Sequence, residues 1–203
     1  MKINKKFLTI GLTFMFCVIF TTNMHAATGY QGYAVYRDGV FYGANWHTAL
    51  MDEPSSTSYL PVTQADGTNP VKWDTWANFM GGNNNFKGVY IPKGQVSTTN
   101  LDNFVATGRR LITCNIPYSL NYQVNYNASQ SGHSWVTPSD ITGLRCDGVV
   151  EYCYEYNGFR VFGDDTNWDV SKWGIDSRAL HSITNVTPQS QALYLKLVTT
   201  SLP

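Results

Sequence analysis

The residue with the strongest chemical signal is Cys146, which stands in the segment GLRCDGVVEYCY where a loop gives way to an apolar helix. A thiol at a helix N-terminus lies at the positive end of the helix dipole, which favours the reactive thiolate. The polar neighbours Arg145 and Asp147 argue against burial of this side chain. Cys146 is therefore predicted to be a nucleophile, and a nucleophilic thiol needs a base.

Three histidines follow the first 26 residues and could supply that base. His133 lies in a loop that contains serine and glycine, where a solvated side chain is expected. His181 follows Cys146 by 35 residues and stays open as an alternative base. His47 is favoured because it begins a predicted strand that ends at Met51.

The next strand offers His47 a polar partner. If the two strands pair antiparallel with Met51 opposite Leu60, then His47 stands opposite Gln64. Directly opposed residues share a face with their Cβ atoms about 5 Å apart, so we expect the Gln64 amide to orient the imidazole. A thiol on a helix, a histidine on a strand and a polar residue on the next strand are the parts of a cysteine hydrolase. The alternative is that His47 only caps an edge strand.

Three short blocks of the chain resemble one enzyme group. They are WHTALM from Trp46, PVTQA from Pro61 and LRCDGVVEY from Leu144. They look like the active-site blocks of permuted papain-like enzymes, the YaeF/YiiX group, which are relatives of NlpC-type cell-wall endopeptidases and of lecithin:retinol acyltransferase. In that group the histidine precedes the cysteine, as it does here.

This resemblance implies an α+β fold of the papain-like, circularly permuted NlpC type, with an antiparallel sheet packed against helices and the nucleophile at a helix N-terminus. It assigns Cys146 as the nucleophile, His47 as the base and Gln64 as the third polar residue. Relatives often carry Glu or His at the third position. A neutral amide orients the ring but adds no charge to stabilise a thiolate–imidazolium pair.

The implied activity is that of a cysteine amidase or peptidase, with acyl transfer at an amide or ester carbonyl and neither a metal nor an organic cofactor. The expected substrates are small peptides, cell-wall peptides or acyl-amides. Two alternatives remain open. A non-catalytic secreted module could bind peptides or glycans through its many aromatic residues, since the chain has 13 tyrosines and 6 tryptophans. A host-interaction factor could use the same site on a foreign substrate.

The N-terminus has the pattern of a secretory signal peptide over residues 1–26. Three lysines precede an apolar run from Phe7 to Phe20, and small residues follow at Ala26 and Ala27, either of which could mark the cleavage site. The remaining residues 27–203 are predicted to form one hydrolase domain, secreted or in the cell envelope, without an integral membrane segment.

Composition narrows the partners of that domain. Of the chain's 14 basic residues, 11 remain after removal of the three N-terminal lysines, against 14 acidic residues. A slightly acidic product lacks the basic patch that nucleic acid or an anionic membrane surface requires. Nucleic acid is therefore not an expected partner.

Three cysteines remain after processing, so at least one thiol is unpaired. Cys146 and Cys153 cannot form a disulfide within one helix, because seven residues separate their Cα atoms by roughly 10 Å. A bridge between Cys114 and Cys153 stays geometrically possible. No cysteine or histidine pair has the spacing of a structural zinc site.

Hydrophobic periodicity and turn residues predict the remaining elements. The predicted strands are Tyr33–Tyr36, His47–Met51, Tyr59–Ala65, Gly88–Ile91 and Tyr118–Tyr126, and the predicted helices are Val71–Met80, Ser97–Thr113 and Thr187–Val198, besides the one that begins at Cys146.

Overall fold

A computed structural model describes residues 30–39, 46–52, 62–67, 69–82, 85–127, 135–172 and 174–202. Most of its strands belong to one six-stranded antiparallel sheet in the order β4-β3-β2-β1-β5-β8. A second sheet contains only β6 and β7. The α+β class, with an antiparallel sheet covered by helices, confirms the coarser part of the fold prediction.

The elements have the following bounds. The strands are β1 Ala34–Asp38, β2 Trp46–Met51, β3 Val62–Gln64, β4 Lys72–Asp74, β5 Phe86–Ile91, β6 Val124–Tyr126, β7 Ile141–Leu144 and β8 Lys196–Thr199. The α-helices are α1 Trp76–Met80, α2 Thr98–Thr113, α3 Cys146–Glu155, α4 Ile175–Leu180 and α5 Pro188–Tyr194.

In the middle of the large sheet, at β1 and β2, most residues on both faces are buried. One face packs against α2 and α3, and Tyr36 and Leu50 belong to the large apolar cluster on that side. The opposite face carries a smaller cluster, in which Ala49 and Met51 of β2 meet Phe79 of α1. Because side chains alternate along a strand, successive residues of β2 serve different clusters.

Local capping explains where two predicted helices begin. The Ser97 side chain accepts a hydrogen bond from the Asn100 N–H at 3.2 Å, and Asn100 bonds back to the Ser97 N–H, which completes a capping box before α2. Thr187 caps α5 in the same way, with Pro188 at the first helical position. Both starts agree with the predictions.

Three predicted elements are wrong in extent. The predicted helix Val71–Met80 is instead β4 followed by α1, because Thr75 is extended and caps a new helix through the Asn78 N–H. The helix that begins at Pro188 ends at Tyr194 and the chain continues as β8. Within the predicted strand Tyr118–Tyr126, only β6 is a strand. In each case one apolar pattern spans two short elements, which periodicity alone does not separate.

The strand pairing beside His47 differs from the predicted register by two residues. Met51 lies opposite Val62 and Leu50 opposite Thr63, so Gln64 falls opposite Ala49 and not opposite His47. A shift by two keeps every side chain on its original face, whereas a shift by one would reverse the faces. His47 and Gln64 are thus diagonal neighbours on one face.

Some predictions lie outside the described residues, namely the signal peptide, His133 and the start of the strand that contains Leu60. Across the part of the chain that is described, none of the helices combines the length and the hydropathy needed to cross a bilayer.

Candidate active site

Cys146 is the first residue of α3, with Arg145 as the preceding N-cap. The helix is central to the domain: all ten of its residues are buried, and it packs across β2. Close contact with the preceding chain requires glycine at 148, because a Cβ there would lie 1.8 Å from the Gln123 carbonyl oxygen. The helix start therefore has little freedom to move.

The expectation that polar neighbours keep Cys146 exposed is wrong. Arg145 is 1 % exposed, Cys146 5 % and Asp147 0 %. The two charged side chains neutralise each other through a bidentate pair, with Arg145 Nε and Nη2 at 2.6 and 2.7 Å from the Asp147 oxygens. Arg145 Nη2 also donates to the Val186 carbonyl at 2.6 Å. A paired charge can be buried where an isolated charge cannot.

Burial also changes the expected state of the thiol. It raises the pKa of Cys146 to about 12, with the Asp147 carboxylate acting in the same direction. The backbone N–H groups of Thr48 and Asp147 lower that pKa but do not offset burial. The prediction that the helix dipole yields a thiolate is therefore wrong for the resting protein, since desolvation outweighs the helix end.

His47 is oriented by the residue that the sequence predicts. Its Nε2 lies 2.6 Å from Gln64 Oε1, and both side chains are buried. An amide oxygen only accepts, so the Nε2 atom must carry the proton. That leaves Nδ1 as the nitrogen with a free lone pair, which is the atom that can act as a base.

Gln64 is itself held by Asp74, which sequence reasoning missed. Gln64 Nε2 donates to Asp74 Oδ2 at 2.7 Å, which fixes the amide with its oxygen toward the ring. Lys72 pairs with Asp74 at 3.0 Å, and Asn78 donates to the other carboxylate oxygen at 2.6 Å. The apolar spacing assigns Asp74 to a predicted helix, so its contact with Gln64 is not expected from the sequence. If residues 72–74 are read as a strand next to β3, Asp74 is expected on the same face as Gln64.

The imidazole lies in an apolar setting against Phe79, with ring centroids 5.6 Å apart. Burial lowers the pKa of His47 to about 4, although its hydrogen bond with Gln64 opposes the shift and the charge of Arg37 adds to it. At neutral pH the ring is therefore neutral.

The thiol and the imidazole are anchored at adjacent residues of β2. The backbone N–H of Thr48 faces the Cys146 sulfur, while the side chain of His47 leaves the strand on the face shared with Ala49 and Phe79. No hydrogen bond joins these two described side chains. The expectation that a ring nitrogen lies within about 4 Å of the sulfur stays a prediction.

The alternative base, His181, lies beside a different residue of α3. Its Nε2 is 3.3 Å from Glu151 Oε1, and its ring packs against Phe162 and Trp168. Glu151 follows Cys146 by five residues, which corresponds to about 140° around a helix. His181 therefore serves a buried polar pair on another face of α3.

The three described cysteines are all free. Cys114 is exposed at the end of α2, whereas Cys153 is buried in the core between α2 and the sheet. The bridge that spacing left possible between them is not formed. Among the described residues, no group of three acidic, histidine or cysteine side chains is arranged to hold a metal ion.

Comparisons of the chain with protein-family models, with curated proteins and with solved structures found no match in any of the three.

Proposed function

We propose that this chain is a cysteine hydrolase or acyltransferase of the permuted papain-like type, acting on an amide or ester bond. Cys146 is the nucleophile, His47 the base and Gln64 the residue that orients the base. The observation that carries the proposal is the buried chain of hydrogen bonds from His47 through Gln64 to Asp74. It leaves His47 Nδ1 as the basic nitrogen, on the strand whose next N–H faces the thiol.

In the first step, His47 Nδ1 takes the thiol proton while the Cys146 sulfur bonds to the carbonyl carbon of the substrate. The carbonyl π electrons move to oxygen and form a tetrahedral oxyanion. Its collapse restores the carbonyl and expels the amine or alcohol, which takes the proton from the imidazolium. The product of this step is a thioester on Cys146.

In the second step, water or an amine attacks the thioester and gives its proton to His47. Collapse then releases the acyl product and returns the proton to the Cys146 sulfur. The backbone N–H of Cys146 is suited to stabilise the oxyanion, because the first residue of a helix has no acceptor within that helix.

The Cys146 thiol and the His47 imidazole are both neutral at rest, which determines when the proton must move. With the pKa of Cys146 near 12 and that of His47 near 4, the ion pair is not formed in advance. Proton transfer must therefore accompany attack on the substrate, and Gln64 must hold the ring in place as it becomes charged. The expected substrates are cell-wall peptides or acyl-amides met outside the cytoplasm, following export by the predicted signal peptide.

One observation favours a second candidate. A buried thiol with a raised pKa also suits a packing residue, in which case the chain would be a secreted peptide- or glycan-binding module without catalysis. The two candidates differ in whether His47 controls the chemistry of Cys146.

Alkylation by iodoacetamide at pH 7.5, followed at each cysteine by peptide mass spectrometry, separates the candidates. We expect His47→Gln, which keeps a polar side chain but removes the base, to slow alkylation of Cys146 about 10-fold or more. Exposed Cys114 is the internal control and should react at an unchanged rate. Equal rates at Cys146 in both proteins would contradict the hydrolase proposal and favour the binding module.

A further inference from the structure

Arg37 brings a positive charge to the candidate active site. It lies on β1 directly opposite His47, and its guanidinium carbon is 5.8 Å from the centroid of the Phe79 ring that also contacts the imidazole. The pairing of β1 with β5 shifts register between Tyr36 and Arg37. The unpaired residue of this irregularity is Lys87 on β5, whereas the pairing of Arg37 with His47 is regular.

The hydrogen bonds of Arg37 reach only neutral acceptors. Its Nε donates to the Phe79 carbonyl, and its Nη1 donates to the Asp38 carbonyl at 3.0 Å. A guanidinium has five N–H donors, so three remain, including both on Nη2. Within the described part of the chain, no carboxylate forms an ion pair with Arg37.

The acidic side chains closest in the fold are already engaged. The Asp38 carboxylate binds Lys87 at 2.8 Å and the Asn85 N–H at 2.6 Å. The Asp74 carboxylate binds Lys72 and Gln64. The charge of Asp38 partly opposes the lowering of the pKa of Arg37, but neither carboxylate forms an ion pair with the guanidinium.

The guanidinium and the thiol lie within each other's electrostatic reach. Burial lowers the pKa of Arg37, and the Cys146 sulfur is close enough for its negative form to oppose that shift. An anion bound by Arg37 would thus lie within electrostatic reach of the Cys146 sulfur. A half-buried cation with spare donors favours a negatively charged ligand, and an arginine fork matches the two oxygens of a carboxylate.

We propose that Arg37 binds a carboxylate of the substrate, so that the site takes amides or peptides with a free carboxylate near the bond that is cleaved. This inference rests on the proposed function for its catalytic meaning. Arg37 acts in it as a specificity-determining residue, and the acyl transfer itself is assigned to Cys146 and His47.

Two alkylating reagents of nearly the same size test the inference. Iodoacetate carries a carboxylate and iodoacetamide a neutral amide, and both alkylate a thiol with release of iodide. The measured quantity is the ratio of their rates at Cys146, which cancels changes in the thiol itself. We expect Arg37→Gln to lower the iodoacetate-to-iodoacetamide ratio about 10-fold, and Arg37→Lys to retain most of it.

Two controls define the result. The same ratio at exposed Cys114 should not change, and Arg160→Gln, which removes an equal charge from the exposed loop after α3, should leave the ratio at Cys146 as in the wild type. An unchanged ratio in Arg37→Gln would overturn the carboxylate site while leaving the proposed hydrolase intact.

If neither reagent alkylates Cys146, the nucleophile assignment fails, and a binding measurement decides on Arg37. The probes are an N-acetylated dipeptide with a free C-terminal carboxylate and the same dipeptide as its amide, each at millimolar concentration. We expect the carboxylate alone to raise the Tm of the wild type, and neither to raise that of Arg37→Gln. Equal effects of the two dipeptides on the wild type would refute the site.

Discussion

Gln64 connects an imidazole to a carboxylate with a neutral group between them. Its oxygen accepts from His47 and its nitrogen donates to Asp74, so the amide is locked in one orientation. A glutamate at this position has no N–H for Asp74. Two carboxylates would then meet at hydrogen-bond distance, and one of them would hold a proton at neutral pH. The chain thus uses an amide where a carboxylate would conflict with its neighbour.

This arrangement predicts how variants at residues 64 and 74 behave. Gln64→Glu alone should raise the pKa of His47 only slightly, because Asp74 and the new carboxylate share a proton. In the double variant Gln64→Glu, Asp74→Asn, the asparagine donates to the glutamate, and the full charge faces the ring. The acidic limb of the pH–rate profile follows protonation of His47. Its midpoint should lie at the highest pH in the double variant, at a lower pH in Gln64→Glu and at the lowest pH in the wild type.

Alkylation of Cys146 between pH 4 and 9 measures this order. Gln64→Ala is the matched control, since it removes orientation without adding charge and should lower the maximal rate at all pH values. If the profiles of the wild type, Gln64→Glu and the double variant superimpose, residue 64 does not influence the protonation of His47.

The buried neutral ring of His47 also predicts a pH dependence of folding. Its pKa is about 4 in the folded protein and about 6.5 in an unfolded chain. As pH falls from 6.5 to 4, the unfolded chain takes up a proton that the folded protein does not. The free energy of unfolding should therefore decrease across this window, by up to about 3 kcal/mol, and this contribution levels off below pH 4.

Urea denaturation at several pH values checks this contribution, with His47→Gln as the reference. Other titrating groups, including the buried Glu151 and Glu155, are common to both proteins, so the difference between the two curves isolates residue 47. We expect the difference to change between pH 6.5 and 4. Parallel curves would mean that His47 is protonated equally in both states.

At the scale of elements, the sequence predicts which face of the sheet a side chain occupies better than it predicts the register of the strands. Alternation along β2 and β3 is enough to predict that His47 and Gln64 share a face, and a two-residue error in pairing does not alter it. The hydrogen bond is therefore predictable although the assumed opposition is wrong. The contact of Gln64 with Asp74 is not predictable from the sequence, because the apolar spacing in residues 71–80 resembles that of one helix and does not mark the boundary between β4 and α1.

Burial of the helix start could not be inferred from neighbouring residue types. Arg145 and Asp147 are hydrophilic in isolation, and their mutual pairing, together with contacts such as that of Arg145 with the Val186 carbonyl, makes them compatible with the interior. The Val186 contact comes from 41 residues further along the chain. Local sequence contains no sign of it.

Gly148 is the residue that allows α3 to approach the segment before β6. Gly148→Ala would place a methyl group against the Gln123 carbonyl, where a backbone group cannot yield as a flexible side chain would. We expect a loss of about 3 kcal/mol or more in the free energy of unfolding, at the upper end for overpacking, measured by thermal or urea unfolding. Ala192→Gly, at a buried position of α5, tests whether any alanine/glycine exchange has this effect; its expected loss is about 1 kcal/mol from helix propensity.

At the scale of the whole molecule, the candidate site lies at the middle of the large sheet, where helices cover both faces. The cluster around α2 and α3 fixes the helix that bears Cys146, and Phe79 of the cluster around α1 packs against His47. Strands β1, β2 and β5 all contribute side chains to both clusters, and β2 also carries His47 and the Thr48 N–H that faces the Cys146 sulfur. A change in either layer can therefore reach Cys146 and His47 through β2, because adjacent residues of this strand contact the thiol and carry the imidazole.

The state of the cysteines gives a prediction for the whole domain. Since Cys114, Cys146 and Cys153 are all free, no disulfide among these three described residues contributes to stability, and the Tm of the chain without residues 1–26 should be the same with and without a reductant. With residues 1–26 removed, titration of the native protein by a thiol reagent should detect one fast thiol, that of exposed Cys114, and urea should expose all three. Cys114→Ser should abolish the fast phase and leave the Tm unchanged. A Tm that falls on reduction, together with loss of the fast thiol before reduction, would instead require a bridge from Cys114 and a different packing of α2 against α3.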